Sequence, residues 1–243
     1  ELGLLKMDFL GLRTLTVIQN AVQEVERTHG VKLDMDQIPQ DDAAVYQLVS
    51  QGKTEGVFQL ESGGMKQFMR ELQPTCLEDW IAGIALYRPG PMDFIPKYIK
   101  GKNNQGNIQY THPTLEPILK NTYGCIVYQE QVMQIVRDLA GYSLGRSDLV
   151  RRAMSKKKAS VMAEERKNFV NGIGNEVPGC VKNGIPAEVA EKIFDEMTDF
   201  AKYAFNKSHA ACYAVVGYQT AWLKTHYPVE FMAALMTSVM DHT

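Results

Sequence analysis

Apolar positions recur with helical spacing along most of the chain. Leu15, Ile18, Val22 and Val25 fall on one face of a predicted helix that stops near Gly30. Asp41 and Asp42 open a short helix carrying Val45, Leu48 and Val49, closed by Gly52. Gly56–Leu60 reads as a short strand or extended segment. Met65, Phe68, Met69 and Leu72 line the next helix, ended by Pro74. Thr75 and Glu78 have the spacing of a capping box, in which each side chain satisfies the other's free backbone N–H. They start a helix with Leu77, Trp80, Ile81 and Ile84 inward. Arg88-Pro-Gly-Pro91 breaks that helix, and Pro96, Pro113, Pro117 and the polar Gly101–Asn107 loop interrupt the stretch from 93 to 122. Cys125–Tyr128 has the character of a short strand. The pattern then predicts helices over 129–140, 147–155, 159–171, 186–201, 208–225 and 229–240. Ser147, Ser160 and Ser208 stand as their N-caps, and Pro186 and Pro228 suit first helical turns. The fold class is mainly α, a multi-helix domain with a few short strands, without internal repeat or clear linker.

Composition narrows the class further. The chain has 243 residues, 45% hydrophobic and 22% charged, so it holds enough apolar material for one or two globular domains and is no disordered tail. No apolar run is long enough to span a membrane. The N-terminus has no basic leader and no initiator Met, and it begins at once on an apolar run, which reads as a piece of a longer protein. Net charge is −2, which by itself gives no support for a polyanionic partner. Its distribution is uneven: cations outnumber acids between Lys97 and Lys158, and the remainder is correspondingly acidic. The four cysteines, Cys76, Cys125, Cys180 and Cys212, form no CxxC pair and read as core thiols. With no export signal, they point to the cytoplasm.

Two glycine motifs carry no chemistry. Gly52-Lys53-Thr54 ends like a P-loop, but Gln47 stands where the first glycine belongs, and Gly172-x-Gly174 is preceded by no strand. Three other segments are richer. Gly145–Lys158 holds six cations and one acid in fourteen residues. On a helix Gly145, Asp148 and Arg152 share one side, and Arg151 points about 100° from Arg152, so two guanidiniums there could grip different phosphate oxygens. The plainer alternative is a solvated helix end. Phe205-Asn-Lys207-Ser208-His209 sets cationic, hydroxyl and imidazole groups at a helix start, where free N–H groups favour an anion; an ordinary serine cap with a surface histidine has the same look. Lys6-Met7-Asp8-Phe9 alternates like a strand with Lys6 and Asp8 on one face, a placement suited to Mg²⁺ beside a phosphate or to a simple edge carboxylate.

Taken in order, Lys6–Leu12, Gly56–Ser62, Ala85–Met92, Tyr128–Met133, Gly141–Gly145, Arg151–Lys158 and Phe205–His209 closely resemble the C-family bacterial replicative DNA polymerases, the polymerase III alpha subunits. The resemblance spans nearly the whole chain. It implies residues 1–14 as the end of the palm and 15–243 as fingers. It also implies Asp8 as a catalytic metal ligand, the third of three aspartates, with Lys6, Arg151, Arg152, Ser208 and His209 on the incoming nucleotide. Lys156, Lys157, Lys158 and Lys207 are then cations facing DNA phosphate. Arg88 lies in a motif typical of the family, with no role that chemistry specifies. The implied activity is template-directed DNA synthesis from deoxynucleoside triphosphates with two Mg²⁺ ions, on primer–template DNA. The sliding clamp and other replisome subunits are expected to dock through regions outside this chain, and the other two aspartates to lie upstream of it. Asp34-Met-Asp36 has the right spacing but lies after Asp8, and reads as loop or capping acids. The alternative class is a non-enzymatic helical module that binds nucleic acid with the same basic cluster.

Overall fold

The structure, a computed structural model, describes residues 3–4, 6–7, 11–155, 159–201 and 203–240. Twelve α-helices succeed one another among them: α1 (Arg13–His29), α2 (Ala43–Ser50), α3 (Gly63–Leu72), α4 (Leu77–Leu86), α5 (Ile95–Asn103), α6 (Glu116–Leu119), α7 (Gln129–Ala140), α8 (Leu144–Ser155), α9 (Ala159–Asn171), α10 (Ala187–Ala201), α11 (Lys207–His226) and α12 (Pro228–Thr237). The β pairing among these residues amounts to two isolated bridges, so the mainly α class holds. None of the helices is long and apolar enough to cross a membrane. Two compact units result, one of residues 1–77 with 213–243 and one of residues 78–212.

In the first unit α1 packs along α12, with Val17, Ile18 and Ala21 against Leu223, Phe231 and Ala234. Gly30, in the left-handed region, ends α1 where its spacing predicts. The buried stripe is Val17, Ile18, Ala21 and Val25, whereas Leu15 is 52% exposed, so the expected face is rotated. Leu15 lies off the seam that Leu223, Phe231 and Ala234 cover. Asp42 caps α2 by accepting the Ala44 N–H at 2.9 Å, and Ser62 caps α3, whose Met65, Phe68, Met69 and Leu72 are all buried as expected.

Gly56–Leu60 is a series of turns, not a strand. Its polar groups pair with side chains: the Thr54 hydroxyl donates to the Leu60 carbonyl at 2.6 Å, and Glu61 and Thr220 accept from the Gly56 and Phe58 N–H groups. Thr54 is fully buried in that role, which leaves no P-loop hydroxyl. Lys224 adds its ammonium to the Lys53 and Glu55 carbonyls at 2.9 and 2.7 Å. Asp34 and Asp36 form a local turn, with the Asp34 carboxylate accepting the Asp36 N–H.

The second unit is built around α7, whose Val132, Ile135, Val136 and Leu139 pack with residues of α8, α9 and α10. Cys125–Tyr128 forms one parallel bridge, Tyr128 to Phe205, in place of a strand pair. Two of its donors go to one side chain, since Gln131 Oε1 accepts both the Val127 and Tyr128 N–H groups, and the Cys125 N–H donates to the Thr122 carbonyl. The Gln131 amide donates in turn to the buried Thr122 hydroxyl at 2.8 Å. Asp79, fully buried, accepts from the Tyr123 hydroxyl at 3.0 Å and lies 3.5 Å from the Lys102 ammonium. Gly172 and Gly179 let two stretches of backbone meet: both have positive φ, and a Cβ on Gly179 would stand 2.3 Å from the Gly172 nitrogen.

The helix starts differ in detail from their prediction. α8 begins at Leu144, not at 147, because Ser143 accepts the Arg146 N–H; Ser147 is buried inside the helix with its hydroxyl on the Leu144 carbonyl. α11 begins at Lys207 with Asn206 as its cap, so Ser208 is not the capping residue. Cys125 and Cys180 are buried, whereas Cys76 and Cys212 are exposed and not the core thiols expected.

Candidate functional site

Within the second unit three sequence motifs meet. Asp148 on α8 precedes Arg151 and Arg152 by three and four residues, the spacing at which helical side chains become neighbours. Arg151 forks onto Asp148 Oδ1 with Nε and Nη2 at 2.9 and 2.7 Å. Arg152 Nε reaches Oδ2 of the same carboxylate at 2.7 Å. The two guanidiniums therefore converge on one carboxylate instead of splaying apart. The Arg151 hydrogen bond, with both arginine charges behind it, holds the Asp148 carboxyl below its ordinary pKa.

The arginines are not equivalent. The Arg151 side chain is 22% exposed and donates a third bond, Nη1 to Gln129 Oε1 at 3.1 Å. The Arg152 side chain is 63% exposed. Gln129, the first residue of α7, passes the connection on: its amide donates to the Ala204 carbonyl at 3.1 Å and its backbone N–H to the Phe205 carbonyl at 2.9 Å. The chain that starts α11 is thereby tied to α8.

Glu130 completes that junction. Its carboxylate accepts from Asn206 Nδ2 at 2.8 Å and from the Lys207 N–H at 3.0 Å, an acid placed where a helix N-terminus favours negative charge. Asn206 Oδ1 accepts the His209 N–H at 2.9 Å, and the imidazole meets the Phe205 ring edge-on at 5.3 Å. Ser208 and His209 are both exposed. The Lys207 ammonium lies 3.1 Å from Glu78 and 5.3 Å from the centre of the buried Tyr128 ring.

Arg88 belongs to the same cluster. Its guanidinium carbon stands 4.1 Å over the Phe205 ring, and Nη2 donates to the Tyr203 carbonyl at 2.8 Å. Burial lowers its pKa from the ordinary arginine value, which still leaves it a cation at neutral pH. Gly90, at φ 101°, lets the chain turn under Tyr203; a Cβ there would come within 2.5 Å of that ring.

The structure thus brings Arg151, Arg152, Lys207, Ser208 and His209 into one unit, linked through Gln129. Lys6 is exposed and belongs to the first unit. Asp8, Lys156, Lys157 and Lys158 lie outside the described residues. Sequence reasoning missed Gln129, Glu130 and Asn206 as organisers of the site. Asn206 had a readable signal, an asparagine directly before a helix. Gln129 and Glu130 had none, because their partners are distant in sequence. Among the described residues no group of three or more histidines, cysteines or acids is placed to hold a metal ion.

The arrangement is a cluster of four cations, each against an acid or an aromatic ring, beside the start of a twenty-residue helix. Residues 14–176 match the family model of the bacterial DNA polymerase III alpha subunit finger domain, and the chain belongs to that family. It is similar to the DNA polymerase III subunit alpha of Halalkalibacterium halodurans, 51% identical over 241 residues, and to that of Thermus aquaticus, 52% identical over 241 residues. The subunit alpha of Pseudomonas aeruginosa is 49% identical over 252 residues. These alignments cover 99%, 97% and 99% of this chain and 21%, 19% and 21% of the relatives, so the chain spans about a fifth of their length.

Proposed function

We propose that this chain is the fingers portion of a bacterial replicative DNA polymerase, residues 15–243, with the end of the palm at residues 1–14. In the full-length enzyme the primer 3′-hydroxyl attacks the α-phosphorus of a deoxynucleoside triphosphate, forming one O–P bond as the bond to pyrophosphate breaks. The observation that carries this reading is the convergence of Arg151, Arg152, Lys207 and the α11 N-terminus through Gln129. Cations fixed around a triphosphate stabilise charge as it shifts onto the leaving group, at no cost of reorganisation during the reaction. His209 and Ser208, exposed at the α11 start, supply further polar contacts to the nucleotide. Lys156, Lys157 and Lys158, next in sequence after α8, are assigned to DNA phosphate, and Lys6 to the triphosphate.

Mg²⁺ is the ion implied for this chemistry; when bound, it activates the attacking hydroxyl and neutralises the leaving pyrophosphate. Asp8 is its proposed ligand in this chain. Primer–template DNA is the proposed macromolecular partner, with the sliding clamp and other replisome subunits docking elsewhere on the full-length protein in the cytoplasm.

The test uses the full-length polymerase and single-nucleotide incorporation. Arg151→Ala and Arg152→Ala should each lower kcat/KM for the triphosphate by about 30- to 1000-fold, the effect of about 2–4 kcal/mol of lost electrostatic stabilisation. The melting temperature of Arg152→Ala should stay close to wild type, since an exposed ion pair contributes little to stability, whereas Arg151→Ala, which also loses the bond to Gln129, should melt lower. In the same assay Asp8→Asn should abolish extension and leave DNA affinity largely intact. Incorporation that ignores both arginines would overturn the proposal.

A further inference from the structure

The two arginines share Asp148 but are held very differently, and that difference has a functional meaning. Arg151 is mostly buried and satisfied on three sides: two bonds to Asp148 Oδ1 and one to Gln129, which is itself fixed to Ala204 and Phe205. Moving it would break bonds to both α8 and α7. Arg152 is mostly exposed, and its 2.7 Å contact to Asp148 Oδ2 is an ion pair within one helix turn. Such exposed pairs are weak and are readily exchanged for a stronger anion.

We propose that Asp148 is an internal counter-anion of the triphosphate site, a positioning residue that fixes Arg151 as the stationary cation and holds Arg152 until the triphosphate draws it away. This inference rests on the polymerase reading of the same site and adds a division of labour within it. A triphosphate carries several negative charges and offers oxygens on successive phosphates, so it outcompetes one carboxylate for a planar guanidinium. Asp148 then acts in two directions. It orders Arg151 in advance, which favours reaction, and it competes for Arg152, which weakens triphosphate binding. Gln129 keeps Arg151 in place once Arg152 has left. An aspartate is already ionised at neutral pH, and Arg151 holds the Asp148 carboxyl lower still, so its charge in this competition is the same at neutral and alkaline pH.

The experiment is a double-mutant cycle in the full-length polymerase, read as KM and kcat for a single correct deoxynucleoside triphosphate. Asp148→Asn keeps an acceptor oxygen for the Arg151 fork and removes the competing charge. It should lower KM about threefold to tenfold, equally at pH 7 and pH 9. In an Arg152→Ala background, where KM is already raised, Asp148→Asn should no longer lower it. Asp148→Glu restores the charge and should return KM toward wild type. An unchanged or raised KM in Asp148→Asn, or an equal fall in the Arg152→Ala background, would overturn the inference. If instead Arg151→Ala and Arg152→Ala leave both KM and kcat unaltered, the polymerase reading of this site fails with it. Should Asp148→Asn melt well below wild type, Asp148→Ser, which removes both the charge and the Arg151 fork, replaces it in the cycle: KM should still fall only where Arg152 is present, while kcat falls with the lost ordering of Arg151, and a KM change that ignores Arg152 would overturn the inference.

Discussion

Single residues decide where α11 begins and what its first turn offers. Asn206 accepts the His209 N–H and Glu130 accepts the Lys207 N–H, so two of the helix's free donors are already satisfied from within the protein. Ser208, exposed at the second helical position, contributes nothing to that cap. Asn206→Ala should therefore destabilise the protein by about 1 kcal/mol, and Ser208→Ala by less than about 0.5 kcal/mol. Urea unfolding of the two variants checks this, and a larger loss for Ser208→Ala would return the cap to the serine. Serine looks the better cap in sequence because a hydroxyl before a helix is a strong local signal. Asparagine two residues earlier carries the same signal, and only the backbone path from Phe205 selects it.

At the scale of elements, each helix buries the face that a neighbour covers. In α7 and α3 the apolar stripe and the buried stripe coincide, because neighbouring elements pack against the whole stripe. In α1 the apolar set is wider than the seam offered by α12, so Ile18 is buried while Leu15 is left in solvent. Ile18→Ala should cost about 2–5 kcal/mol, and Leu15→Ala less than about 0.5 kcal/mol. Thermal or urea unfolding distinguishes them, and equal losses would mean that both positions are buried. The two segments expected as strands became turns or a single bridge for one shared reason. Their backbone polar groups are met partly by Thr54, Glu61, Thr220 and Gln131 side chains and partly by local turns such as Val57 N–H to the Thr54 carbonyl and Cys125 N–H to the Thr122 carbonyl, which leaves no ladder to build.

For the molecule as a whole, the four thiols report on folding. Cys76 and Cys212 are exposed, and burial pushes the Cys125 thiol up to about 11 and the Cys180 thiol up to about 12. At pH 8 a thiol reagent should modify two cysteines in the native protein and all four once it is unfolded, as counted by mass spectrometry. Rapid native labelling of all four would contradict the burial. The same shifts set an alkaline limit. An unfolded thiol ionises at about 8.5 while the buried ones remain protonated, so their contribution to stability is intact below that pH. It declines as pH rises through the folded values toward about 11 and 12. The melting temperature should accordingly fall on going from pH 8 to pH 10.5, and should fall less in Cys125→Ala and Cys180→Ala.

Local information is what the chain carries in linear order, and the features that depend on it were legible there. Helical periodicity placed α7 and α9 with their observed bounds and α1, α10 and α12 within a few residues, because 3.6-residue spacing is a property of each segment alone. The basic run with its paired arginines, the Arg88-Pro-Gly-Pro break and the Phe205–His209 motif were equally visible, and they carried the family resemblance. The one acid at Asp148 could also be placed beside Arg152, since three- and four-residue separations on a helix are local geometry. What tertiary structure decided is which partners those groups meet. That Gln129 joins Arg151 to Ala204, that Glu130 caps a helix seventy-seven residues further on, and that Arg88 covers Phe205 all depend on contacts between segments remote in sequence. Those contacts form only when α7, α8 and α10 pack around one core. No residue type announces them, because a glutamine or a glutamate at a helix start is equally stable facing water.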